Sequence, residues 1–138
     1  MISCAVVDTN VLISALLSKK DDTATVKIMD AMLHGRFTPL WHEDIVAEYN
    51  DVLRREKFHL KETDVQKILQ AIQIYGRYVS IKHNAVNEKL IDPDDTIFWQ
   101  VAMAEREHDA FLITGNIKHF PKRDFVVTPA EMIRIFNW

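Results

Sequence analysis

Residues 2–17 read ISCAVVDTNVLISALL, and their order decides the fold. Ile2 to Val7 is a short apolar run ending in β-branched residues, as a strand covered on both faces would be. Val11 to Leu17, interrupted only by Ser14 and Ala15, suits a buried helix of a turn or two. Between the two runs stand Asp8, Thr9 and Asn10. Asp8 is therefore expected at the carboxyl end of a buried strand, where open α/β sheets carry their chemistry.

Beyond this opening, Thr23 to Leu33 places Val26, Met29 and Leu33 at helical spacing, with Gly35 as the C-cap. Arg36 to Trp41 reads as a short strand. From Glu43 to Arg55, Ile45, Tyr49, Val52 and Leu53 form one helical stripe, and Val65, Ile68, Leu69, Ile72 and Tyr75 form another. A short strand is expected within Tyr78 to Lys82. Asp94 to His108 reads as a helix with an acidic start, and Asp109 to Thr114 (DAFLIT) as another buried strand. Phe125 to Val127 reads as a last strand before a helix that begins at Pro129 and takes Thr128 as its N-cap. Strands alternating with helices predict a parallel sheet covered by helices. No linker, repeat or low-complexity segment divides residues 1–138, so one domain is expected.

Composition excludes several classes of function. With 48% hydrophobic and 27% charged residues the chain is built to fold, and its net charge of −3 announces no general affinity for nucleic acid. Phosphate would have to be held by local basic clusters or by metal ions. The lone Cys4 has no disulfide partner and suits a buried position in a reducing cytoplasm. No basic leader precedes the first apolar run, and no run is long enough to cross a bilayer, so a cytoplasmic protein without a membrane partner is expected. Three glycines (Gly35, Gly76, Gly115) cannot write a P-loop or a GxGxxG fingerprint.

Polar groups gather in four places. Asp8-Thr9-Asn10 is the first, and there Asp8 serves as an N-cap as readily as a catalytic acid. The second is Glu48, at the border of the Ile45 stripe, where most helix glutamates are merely solvated but a cleft is within reach. The third is Asp92-Pro93-Asp94-Asp95. One acid caps a helix and another favours its first turn, but three acids in four residues repel one another and ask for a cation. Oxygen ligands without cysteines suit Mg²⁺ or Mn²⁺. The fourth is Thr114-Gly115-Asn116, an ordinary turn sequence that would also set a hydroxyl and an amide at the sheet edge. Two basic groups, Arg54, Arg55, Lys57 and Lys118, Lys122, Arg123, read as solvated faces or, beside an acidic centre, as holds for a phosphate backbone. The six histidines do not pair at metal-ligand spacing, and only His119 merits a test. Trp41, Trp99 and Trp138 read as packing anchors.

In order, VVDTNVLISALL, IVAEYNDVLRREKF, DPDDTIFWQVA and FLITGNIKHF resemble the PIN-domain family of metal-dependent ribonucleases. The wording of these segments looks most like the bacterial and archaeal toxins of toxin–antitoxin pairs related to VapC. The resemblance implies a three-layer α/β/α sandwich with a central, mostly parallel sheet. It implies catalytic and metal-holding roles for Asp8, Glu48 and Asp95, with Asp92 and Asp94 weaker candidates, and supporting roles for Asn10 and Thr114. It also implies Mg²⁺ or Mn²⁺, an RNA substrate, a cognate antitoxin and a homodimer, the last being common in that family.

One position departs from the pattern. Many PIN domains carry an aspartate after the Thr-Gly pair, and here Asn116 lowers the charge by one, leaving its carbonyl oxygen as the ligand to a second metal. An alternative expectation follows: a catalytically weak PIN domain that binds RNA or regulates. A receiver-like phosphorylation domain also gathers acids at a parallel sheet edge, but it needs an acid pair after the first strand, where this chain supplies Asp8 alone.

Overall fold

The computed structural model describes residues 2–82 and 90–138. Its sheet holds five parallel strands in the order β3-β2-β1-β4-β5. They are β1 (Ser3–Val7), β2 (Phe37–Trp41), β3 (Arg77–Tyr78), β4 (Phe111–Ile113) and β5 (Val126–Val127). Six helices connect and cover them: α1 (Thr9–Leu17), α2 (Ala24–Leu33), α3 (Glu43–Leu53), α4 (Glu62–Tyr75), α5 (Thr96–Ala104) and α6 (Pro129–Phe136). Helices α1, α2 and α6 pack in series, as do α4, α3 and α5, and each series touches the sheet, which gives the three-layer α/β/α sandwich.

The central strand is the one the opening sequence announces. Ala5 and Val6 are fully buried, and so are Leu112 and Ile113 on β4 beside them. From β1 the chain grows outward through β2 to β3, then returns to lay β4 and β5 on the other side. The reversal makes the carboxyl ends of β1 and β4 a topological switch point, the place where doubly wound sheets open a crevice. Asp8 follows β1 and Thr114 follows β4.

Local chemistry sets the helix boundaries. Thr23 caps α2 by accepting the Val26 N–H, and Gly35, at φ +71°, turns the chain away from it. Buried His42 caps α3 through Nδ1, which accepts the Asp44 N–H at 3.0 Å. Thr128 and Glu131 form a reciprocal capping box on α6, behind Pro129 at its first position.

Several expectations need correction. The buried arc of α2 is centred on Ile28, Ala31 and Met32, while Val26, Met29 and Leu33 are only partly buried, because this helix packs against α1, α6 and β2 at once. Tyr75 leaves its stripe and is exposed in the last turn of α4, where the chain turns at Gly76 into β3. The strand expected within Tyr78 to Lys82 is shifted to Arg77–Tyr78. The acidic run opens a short 3-10 turn, Pro93–Asp95, so α5 starts at Thr96, and a second 3-10 turn, Arg106–His108, follows it. Trp99 is wholly buried and Trp138 stacks on Phe37 and Phe136, both in packing roles. No helix among the described residues is long and apolar enough to cross a membrane.

Candidate active site

Asp8 occupies the N-cap position of α1, yet its carboxylate makes no capping bond. Its backbone does that work: the N–H donates to the Ile113 carbonyl at 2.9 Å, and the carbonyl accepts the Val11 N–H at 3.0 Å. The carboxylate points instead toward the end of β4. Oδ2 accepts the Thr114 hydroxyl at 2.7 Å and the Asn10 amide at 3.3 Å. Asn10 Oδ1 accepts the Gly115 N–H at 3.1 Å, and Thr114 Oγ1 accepts the Asn116 N–H at 2.9 Å. Four residues from two strand ends are thus linked around one acid.

That acid is only 5% exposed. Burial raises its carboxyl above the usual carboxylate range, against the opposing pull of the Thr114, Thr9 and Asn10 hydrogen bonds and the field of His119. Behind it, the wholly buried Tyr49 of α3 donates its hydroxyl to the Val7 carbonyl, pinning the last residue of β1. Burial and then the Asp8 charge keep that phenol protonated far above its ordinary value.

Glu48 precedes Tyr49 and is partly buried at the edge of the same helix. Burial raises its carboxyl, as do the charges of Asp94, Asp51 and Asp8. Asp95, from the turn before α5, is pushed up to about 6 by burial and then by the charges of Asp8 and Asp92, while His119 works in the opposite direction. The three acids therefore share one electrostatic field. Their oxygens do not all fall within 4.8 Å of one another.

The remaining sequence candidates divide. Asp92 is a cap, accepting the Asp94 N–H at 3.0 Å, and Asp94 is exposed. Asn116 is exposed and its side chain makes no cap bond to the following turn, Ile117–His119. Arg54 is held by Glu62 at 2.7 Å and by Asn50, Arg55 by Asp51 at 3.1 Å, and Lys57 lies over the Phe58 ring at 5.0 Å. Lys118, Lys122 and Arg123 line an open groove of about 620 Å³ with Ile117, Phe120 and Pro121, directly downstream of the Thr114 turn. Arg123 also lies over the Trp99 ring at 5.7 Å.

Reading by spacing missed the role of Tyr49 and the partner of His119, which it had singled out among the histidines. Tyr49 was visible only as a stripe residue, although a tyrosine in a core stripe needs a partner for its hydroxyl. The Nδ1 of His119 lies 3.5 Å from Asp95 Oδ2. A separate group, Glu105, Glu107 and His108, does bring three ligand atoms within 4.8 Å, but before β4 at the opposite edge of the sheet. There Glu105 is already paired with Arg77 at 3.3 Å and His108 at 2.8 Å.

The PIN domain matches residues 4–118, which covers β1 through the turn after β4. The chain belongs to the PIN-domain family. A comparison with curated proteins returned no match. Among solved structures, this PIN domain shares its fold with a chain in the crystal structure of VapBC2 from Rickettsia felis bound to a DNA fragment from their promoter. The TM-score is 0.54 at 16% identity, with 91% of this chain and 96% of that chain covered.

The PIN-domain residues fit a divalent ion on their own chemistry. Asp95 Oδ2 is buried with no hydrogen-bond partner, a costly state for a carboxylate that a cation would relieve. The charges that act on it most are the carboxylates of Asp8 and Asp92, and carboxylates are the ligands hard divalent ions take.

Proposed function

We propose that this PIN domain is a metal-dependent endoribonuclease that hydrolyses RNA phosphodiester bonds, the toxin of a toxin–antitoxin pair. The observation that carries the reading is Asp8: a buried carboxylate, spared from capping, held by Thr114 and Asn10 at the switch point and sharing its field with Asp95 and Glu48. In this reading Asp8, Glu48 and Asp95 hold Mg²⁺ or Mn²⁺, and Asn116 offers its carbonyl oxygen to a second ion. Such an ion, when bound, polarises the scissile phosphate and lowers the pKa of an attacking water.

The protein's own groups prepare that chemistry. Thr114 and Asn10 fix the rotamer of Asp8, and Tyr49 fixes the strand end that carries it. Burial of Asp95 keeps its carboxyl poorly solvated and ready to exchange protons for a cation. Lys118 and Lys122, on the groove beside the turn, would carry the RNA backbone. A cytoplasmic antitoxin would cover the acidic site, and a second copy of the chain would extend the RNA surface. The fold shared with the VapBC2 chain supports the choice of a toxin over an RNA-maturation enzyme.

The test is cleavage of labelled single-stranded and structured RNAs with Mg²⁺, Mn²⁺ or EDTA, by wild type beside Asp8→Asn and Asp95→Asn. Metal-dependent cutting that both substitutions abolish is expected. Binding of metal and RNA without turnover in the wild type would favour the RNA-binding or regulatory module, in line with the amide at Asn116.

A further inference from the structure

His119 ends the turn that follows β4, a few residues after the Thr114 that holds Asp8. Its Nδ1 stands 3.5 Å from Asp95 Oδ2. That is beyond a normal hydrogen-bond length, and Oδ2 stays buried without a hydrogen-bond donor. Asp95 is the ring's side-chain partner among the described residues, and the imidazole itself is 43% exposed, so solvent and a bound ion can both reach it.

We propose that His119 is a nitrogen ligand to the divalent ion held by Asp8 and Asp95, and that it makes the site prefer Mn²⁺ to Mg²⁺. The proposal rests on the metal-dependent reading of the site and adds a ligand that this reading lacks. Three observations carry it. Two ligand atoms on one ion, each bound at about 2.1 Å, stand about 3.0 Å apart at an octahedral right angle and about 3.4 Å at a tetrahedral one. The His119 to Asp95 separation lies just beyond that span and needs only a small ring movement. Next, the charge of His119 acts on Asp8 as well as on Asp95, so the ring stands within electrostatic reach of both acids. Finally, the residue before its turn, Asn116, is exposed and uncharged, so the segment from Thr114 to Phe120 brings no carboxylate to the acids. Within that segment His119 is the ionisable side chain that stands beside Asp95. Mg²⁺ demands near-ideal octahedral oxygen geometry and dehydrates reluctantly, so exchanging a bound water for an imidazole nitrogen costs it more than it costs Mn²⁺, hence the preference.

The experiment is pulsed electron paramagnetic resonance on the metal-free protein loaded with Mn²⁺ alone, at natural abundance and with ¹⁵N-labelled histidine. The expected result is a directly coupled ¹⁴N that changes to ¹⁵N on histidine labelling. It should vanish in His119→Ala, which still binds Mn²⁺ through the carboxylates with a smaller Mn²⁺ to Mg²⁺ affinity ratio. A bound Mn²⁺ in the wild type with no histidine coupling would overturn the proposal and leave His119 as an ion-pair partner that positions Asp95. Failure of the wild type to bind Mn²⁺ at all, by water-proton relaxation, would overturn it together with the metal reading. The two failures are separate results, and because the labelled wild type decides between them, neither depends on the variant folding.

Discussion

The Thr114 hydroxyl donates to Asp8 Oδ2 across 2.7 Å and so joins the carboxyl ends of two adjacent strands that lie far apart in the chain. The same oxygen accepts the Asn116 N–H, so it holds the acid and shapes the turn at once. Thr114→Val keeps the shape of the side chain and removes both bonds. It should cost about 1–3 kcal/mol in urea denaturation at neutral pH, because a buried acceptor and a backbone donor lose their partners. It should also raise the Asp8 carboxyl further, visible in an NMR titration. Thr114→Ser should recover most of both effects. A Val variant as stable as the wild type would mean that water takes over the bonds.

The crowding of Asp8, Glu48 and Asp95 sets a pH dependence for the metal-free protein. Each carboxyl is raised in the fold, Asp95 from 3.8 to about 6. Between those values the folded state binds more protons than the unfolded one, so stability is greatest at the acid end and falls as pH climbs through the window. In EDTA, denaturation between about pH 4 and pH 6 should show this decline, with Asp95 contributing about 2–3 kcal/mol at most. Asp95→Asn should flatten the profile and stabilise the protein at pH 7. Stability that rose across the window in EDTA would contradict the shared field.

How much of this site was legible beforehand depends on the kind of signal. Asp8 and Thr114 stand out because a polar residue directly after a buried strand breaks an apolar run, and that break survives in one dimension. Glu48 was legible from the phase of its helix stripe, since Ile45, Tyr49, Val52 and Leu53 are all buried. What the linear chain hides is partnership across the fold. The Tyr49 hydroxyl on the Val7 carbonyl and the His119 ring beside Asp95 follow from how layers stack, which no spacing encodes. Helix phase failed for α2 because three neighbours press on it and widen the buried arc beyond one stripe.

Gly76 and Gly35 offer a second pair of substitutions with opposite physical origins. A Cβ at Gly76 would stand 2.1 Å from the Ile72 carbonyl oxygen and 2.4 Å from that of Pro39, both rigid backbone atoms. Gly76→Ala should therefore force the α4 terminus off β2 and cost about 3 kcal/mol or more, at the upper end of overpacking penalties. Gly35 has open space around it but a φ of +71°, so Gly35→Ala pays only for the left-handed backbone, about 1–2 kcal/mol. Thermal melts of both variants check the ranking, and an equal loss in the two would refute the close approach at Gly76.

The two basic groups that look alike in sequence should differ in their effect on RNA. Arg54 and Arg55 are committed to Glu62 and Asp51, so recruiting them to phosphate means breaking an existing pair. Lys118 and Lys122 make no ion pair among the described residues and stand on the open groove beside the Thr114 turn. Each phosphate contact on single-stranded RNA contributes about 0.7 to the slope of log K against log salt. The Lys118→Ala, Lys122→Ala double variant should weaken binding of a single-stranded RNA and lower that slope by about 1.4. The Arg54→Ala, Arg55→Ala double variant should change the slope by less than one contact's worth. Fluorescence anisotropy across a salt series, in EDTA so that cleavage does not intrude, reads both. If the arginine variant loses the larger slope, the RNA path runs over the α3 end of the site and the groove after β4 has another use.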